Sequence, residues 1–137
     1  MIALKRSHCD EIITRARSAV PNECCGLIGG GNGEARSIYP LRNVAPHSQV
    51  SYEAAPEELF AAQRLMRERG EELLAIYHSH PRAEEPLPSE ADVRLAYYPE
   101  AIYLIVGLAG KTPALRAFVI SEREQRWRQV EYSIADE

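Results

Sequence analysis

Apolar positions follow two rhythms along the chain, one of about 3.6 residues and one that is short and continuous. Residues 1–4 read as a short strand. From Ser7, a suitable N-cap, Ile12, Ile13, Ala16, Ala19 and Val20 follow at helical spacing until Pro21 closes the segment. Residues 23–29 (ECCGLIG) form a compact apolar run that ends in the glycine-rich stretch 29–33. Residues 35–41 then read as the second strand of a hairpin with a flexible tip. A loop through Pro46 and a short extended piece at 50–53 lead to Pro56, which opens a helix carrying Leu59, Phe60, Gln63 and Met66 before Gly70. Residues 73–77 (LLAIY) have the unbroken apolarity of a strand covered on both faces. Residues 81–88 hold three prolines and form a loop, and Ser89 caps a helix (SEADVRLAY) that Pro99 stops. Residues 101–108, 115–120 and 127–132 supply further strands. Strands and helices interleave, which predicts an α/β sandwich.

Composition narrows the function classes. The chain of 137 residues carries 16 Lys+Arg against 20 Asp+Glu, a formal charge of −4. It is read as one domain, 1–137, large enough to fold without disulfides or a structural metal. The acidic balance gives no electrostatic footprint for nucleic acid or an anionic membrane. The longest nearly apolar run, 101–110, is about half of what spans a bilayer, and Lys5 and Arg6 interrupt the N-terminus as a secretory leader. Three cysteines, two of them adjacent (Cys24, Cys25), suit a reducing, cytoplasmic setting and small buried roles.

Candidate chemistry begins where residues 73–77 run into His78-Ser79-His80-Pro81. Alternate residues of a strand share a face with Cα atoms about 6.5 to 7 Å apart, so two imidazoles can converge on one zinc ion. Equally, an H-x-H pair can simply be two surface or hydrogen-bonded histidines. A catalytic zinc takes three protein ligands and keeps one open position. Asp92 is the best third ligand, twelve residues beyond His80, although Ser89-x-x-Asp92 also reads as a helix capping box. Glu23, the charged residue heading the ECCGLIG run, is the candidate general base, or else an exposed carboxylate at a strand start. His8 and His47 have no partners at ligand spacing and are assigned surface or capping roles. Cys25 reads as a packed core residue.

Taken together, Pro21-x-Glu23-x-Cys25-Gly26-Leu27-x-x-Gly30, then His78-Ser79-His80-Pro81, then Ser89-x-x-Asp92 resembles the JAMM (JAB1/MPN/Mov34) metalloprotease family, in a motif order that covers nearly the whole chain. The resemblance implies a cytidine-deaminase-like sandwich with a central mixed β-sheet flanked by helices. It further implies one catalytic zinc held by His78, His80 and Asp92, with Glu23 as general acid/base and Ser89 as hydrogen-bond donor to the oxyanion. The implied activity is hydrolysis of peptide or isopeptide bonds at the C-terminal tail of a ubiquitin-like or sulfur-carrier protein. Such a tail is expected to lie extended beside a sheet edge. Residues 81–88 make the spacing from His80 to Ser89 one residue longer than the family's usual loop. The chain has no room for long ubiquitin-gripping insertions, so it resembles the compact prokaryotic members. Two other readings stay open, a non-catalytic interaction module of the MPN type and a zinc peptidase acting on cell-wall peptides. Homodimerisation is left open, with neither nucleic acid nor membrane expected as a partner.

Overall fold

The computed structural model describes residues 1–136. The domain assignment 1–137 therefore includes one residue, Glu137, that lies outside the described residues. Eight strands and three helices follow the order β1 (Ile2–Lys5), α1 (Arg6–Ala19), β2 (Cys25–Gly31), β3 (Glu34–Leu41), α2 (Pro56–Glu68), β4 (Glu72–His80), α3 (Glu90–Arg94), β5 (Ile102–Gly107), β6 (Ala114–Ser121), β7 (Arg126–Val130) and β8 (Tyr132–Ala135). All strands join one mixed sheet in the order β7-β6-β5-β4-β2-β3-β1-β8. β4 runs parallel to β5 and antiparallel to β2. A mixed sheet with helices on both faces is the fold class expected above.

Several boundaries differ from the sequence-based expectations, each for a physical reason. α1 begins two residues earlier than a Ser7 cap allows, because β1 passes straight into it and Lys5 is the N-cap residue. The His8 ring serves the start of the helix, its Nδ1 accepting the Lys5 N–H at 3.4 Å. The β2–β3 tip is a tight two-residue turn rather than a flexible five-residue one. Asn32 and Gly33 both have positive φ, 54° and 76°, as a type I′ hairpin requires. The extended piece at 50–53 adds no strand and leads to a single bridge, Asn43 to Ala54. α2 buries Ala62 and Met66 and half-buries Leu59, whereas Phe60 is 67% exposed. At 100° per residue the stripe through 59, 62 and 66 turns position 60 outward. α3 has five residues and ends at Arg94, with Leu95 as its C-cap, well before Pro99. The strand expected at 127–132 divides at Glu131. β7 and β8 lie at opposite ends of the strand order yet are separated by one residue, so the sheet must curl until its two edges meet.

The curl gives two apolar layers. On one face Ile12 of α1 packs in a cluster with Leu4, Ile28, Tyr77 and Leu104. On the other face Met66 of α2 and Val93 of α3 pack in a cluster with Leu27, Ile76, Ile105 and Phe118. Each fully buried aliphatic side chain contributes about 1.5–3 kcal/mol. Gly26 is demanded by this packing, because a Cβ there would lie 2.3 Å from the Tyr77 ring. Among the described residues no helix is long and apolar enough to cross a membrane.

Candidate functional site

The site is a continuation of the second layer. Side chains alternate along a strand, so His78 and His80 share the face that carries Ile76, at the C-terminal end of β4. In the antiparallel β2–β4 ladder Cys25 pairs with His78. The pairing runs on, with the Ser79 N–H donating to Cys24 O at 3.2 Å and the Cys24 N–H donating to Ser79 Oγ at 2.9 Å. Two residues before Cys25, Glu23 therefore lies across from His80 and on the same face. Register alone brings together residues 55 or more positions apart in the chain.

Asp92 arrives from the other side. Ser89 and Asp92 close a reciprocal capping box: Ser89 Oγ accepts the Asp92 N–H at 3.1 Å and Asp92 Oδ2 accepts the Ser89 N–H at 2.9 Å. The box fixes the carboxylate so that Oδ2 lies 3.0 Å from His80 Nε2 and Oδ1 lies 3.2 Å from His78 Nε2. The two Nε2 atoms are 3.2 Å apart. Capping and approach to the histidines are thus both present at Asp92. The longer loop before Ser89 does not open the site, because Pro86 is fully buried and the Ala109 N–H ties Ala83 O down at 3.0 Å.

Donor chemistry and spacing fit a metal ion. Ligand atoms about 2.0–2.1 Å from a tetrahedral centre lie about 3.3–3.4 Å from each other, close to the separations among His78, His80 and Asp92. Glu23, His78 and His80 also form a group whose ligand atoms lie within 4.8 Å of one another. Glu23 is 4% exposed, and its Oε1 has no hydrogen-bond partner. An unpaired buried carboxylate oxygen is costly unless something outside the chain meets it.

Electrostatics separate the two carboxylates. Burial raises the Glu23 carboxyl to about 8, the charge of His80 lowering it and that of Asp92 raising it further. Burial also raises Asp92, but the charge of His78 and hydrogen bonds from His78, His80 and Ser89 outweigh it and hold Asp92 well below the usual carboxylate range. Burial lowers His80, and its bond to Asp92 with the charges of Asp92 and Glu23 more than offsets this and raises it. Burial pushes the Cys25 thiol up to about 12, so it is a packed residue and no nucleophile. All three cysteines are free.

Two contributors carry no local sequence signal or a weak one. Tyr52 stacks on His78 with ring centroids 4.5 Å apart and an interplanar angle of 27°. His78 Nδ1 is buried without a hydrogen-bond partner, so the Tyr52 ring rather than a bond at that nitrogen packs against the imidazole. Tyr52 and Asp92 also border an apolar cavity of about 300 Å³, walled by Leu27, Leu59, Leu95 and Tyr103. Asn43 organises the loop that carries Tyr52. Among the described residues β4 lies between β2 and β5, so the histidines are not on an edge strand.

A family model described as prokaryotic homologs of the JAB domain matches residues 5–121. The chain is 34% identical over 112 residues to a Haloferax volcanii protein named desampylase, covering 77% of this chain and 79% of that one. It is 37% identical over 105 residues to a Thermus thermophilus protein named probable TtuB-protein conjugate cleaving protease, covering 77% of this chain and 66% of that one. A solution structure of a protein from Desulfitobacterium hafniense superposes with a TM-score of 0.87 at 34% identity, covering 100% of this chain and 94% of that chain.

Proposed function

The chain belongs to the prokaryotic JAB-domain family, and from that premise we propose that it is a zinc-dependent peptidase that cleaves a peptide or isopeptide bond at the C-terminal tail of a small ubiquitin-like or sulfur-carrier protein. The observation that carries this reading is the convergence of His78 Nε2, His80 Nε2 and both Asp92 oxygens within 3.0–3.2 Å, beside a buried, unpartnered Glu23. In it, His78, His80 and Asp92 hold the zinc ion. When bound there, zinc supplies Lewis acidity toward a carbonyl oxygen and makes a neighbouring water more acidic.

The chain's own residues supply the rest. Glu23 Oε1, buried and without a partner in the chain, takes a proton from the attacking water and returns it to the leaving nitrogen. Ser89 Oγ accepts from the Asp92 N–H, which leaves its own proton to donate to the oxygen that gains charge. One such donor is worth about 2.7–4 kcal/mol in the transition state. Tyr52 holds the His78 ring plane and shields it from water. The substrate tail is guided by the loop around Tyr52, the 81–88 loop and α3. The cavity beside Asp92 has room for one apolar side chain of that tail.

The names of the two relatives support the substrate class, and free cysteines support a cytoplasmic setting. A purely structural module has no use for a nearly fully buried, unpaired carboxylate beside two converging imidazoles. The test is incubation with small ubiquitin-like proteins bearing C-terminal extensions, followed by mass spectrometry. Release of the extension at the end of the carrier tail is expected. Uncut carriers alongside cleavage of cell-wall peptides would transfer the activity to the other substrate class.

A further inference from the structure

The main chain of Glu23 is held by neither neighbouring strand. β2 starts at Cys25, and the last bonds to β4 in this direction are those of Cys24. Both polar groups of the Glu23 backbone are instead taken by the 43–51 segment. Its N–H donates to Ser48 O at 2.7 Å, and its carbonyl accepts from Asn43 Nδ2 at 3.0 Å. Asn43 is also the knot of that segment. Nδ2 donates to Ser51 O at 3.0 Å, and Oδ1 accepts the Ala45 N–H at 2.9 Å and the Glu53 N–H at 3.1 Å. The next residue in the chain after Ser51 is Tyr52, which stacks on His78.

With Oε1 unpartnered, no hydrogen bond at that oxygen aims the Glu23 carboxylate, and its direction depends on where the backbone is fixed. We propose that Asn43 is a positioning residue for Glu23: its carboxamide ties the Glu23 carbonyl to the loop that carries Tyr52, and so sets the general base and the His78 ring in one frame. This rests on the assignment of Glu23 as the base. The oxygen half of the carboxamide shapes the loop as an Asx turn does, and the nitrogen half ties Ser51 O and reaches across to the Glu23 carbonyl.

The two halves can be separated. Asn43→Asp keeps both acceptor contacts and removes the Nδ2 donor to Glu23 O and Ser51 O, whereas Asn43→Ala removes donor and acceptor together. In Asn43→Asp, kcat is expected to fall about 10- to 100-fold, the scale of a small misplacement of a reacting group. KM and zinc affinity by chelator competition should stay within about threefold. In the metal-free protein, hydrogen exchange should speed up for the Glu23 amide and not for residues 72–80. Glu11→Ala, which removes an exposed ion pair with Arg15 on α1, should leave activity unchanged. If Asn43→Asp does not fold, Asn43→Ser, which keeps a shorter donor, is read by the same measures. Normal kcat in Asn43→Asp together with an inactive Glu23→Gln would overturn the role of Asn43 alone. Near-normal turnover of Glu23→Gln would instead remove the base assignment on which it rests. A loss confined to thermal stability, with normal kcat per folded molecule, also overturns the proposal.

Discussion

The two faces of the central sheet use the same strands and close in different ways. On one face α1, a helix of 14 residues, lies over Leu4, Ile28, Tyr77 and Leu104, and the layer is apolar apart from the Tyr77 and Ser79 hydroxyls and the His8 ring at the start of the helix. On the other face α2 is followed by an α3 of only five residues, and this face carries the buried polar side chains Glu23, His78 and Asp92 with the half-buried His80. β4 shows the division within successive residues: Tyr77 and Ser79 face α1, while His78 and His80 face the polar cluster. A layer sealed by a long helix buys stability. The layer that a short helix leaves unsealed can hold charges that the first layer would exclude. Stability and chemistry are therefore separable by face, although both are carried on one strand.

Three measurements would break or sharpen this separation. The largest effect is expected on the polar face. Glu23→Gln is nearly isosteric and removes the proton acceptor, so turnover should fall about 10²- to 10⁴-fold with metal content and melting temperature close to wild type. Steady-state kinetics beside metal analysis would check it, and unfolding of the variant would show that this face carries stability after all. On the α1 face, Leu104→Ala empties a fully buried site and should cost about 2–5 kcal/mol in a denaturant titration. Activity per folded molecule should not change, and a selective loss of kcat would mean that the faces are coupled.

The smallest effect is on pH dependence. Glu23 is raised to about 8 in the folded chain from an ordinary value of 4.5, and His80 is raised as well. Groups raised on folding contribute stability that is complete below their unfolded values and is lost as pH climbs through the folded ones. Metal-free protein should therefore lose stability between about pH 4.5 and 8, at roughly 1 kcal/mol per pH unit. Glu23→Gln should flatten that slope, which melting curves across the range would show. Asp92 works in the opposite sense and is felt only at acid pH, below the ordinary carboxylate range.

How much of this could be read from residues depends on how local each signal is. His78 and His80 are two positions apart on one strand, and Ser89 and Asp92 lie one helical turn apart, so spacing alone suggested both pairs. Glu23 could be named from its place in the motif order, but its approach to His80 is a matter of sheet register across more than fifty residues. Tyr52 had no signal, because stacking on His78 depends on how a loop folds back. Asn43 followed two residues later by Ala45 is an Asx-turn pattern, and that was the one clue available. β8 was missed because its partner, β1, lies at the far end of the chain and the hydrophobic pattern does not mark the break at Glu131. Phe60 was misplaced because an apolar residue next to a buried stripe looks, in one dimension, like part of it.

Metal content and fold, followed together, test the central claim most directly. Protein purified without added zinc should carry close to one zinc per chain, and chelation should remove it and abolish cleavage. The chelated chain should keep its circular dichroism and a cooperative melt, since the apolar layers and not the metal hold the fold. Cleavage that continues after chelation, or a chain that unfolds when the metal is withdrawn, would contradict the account.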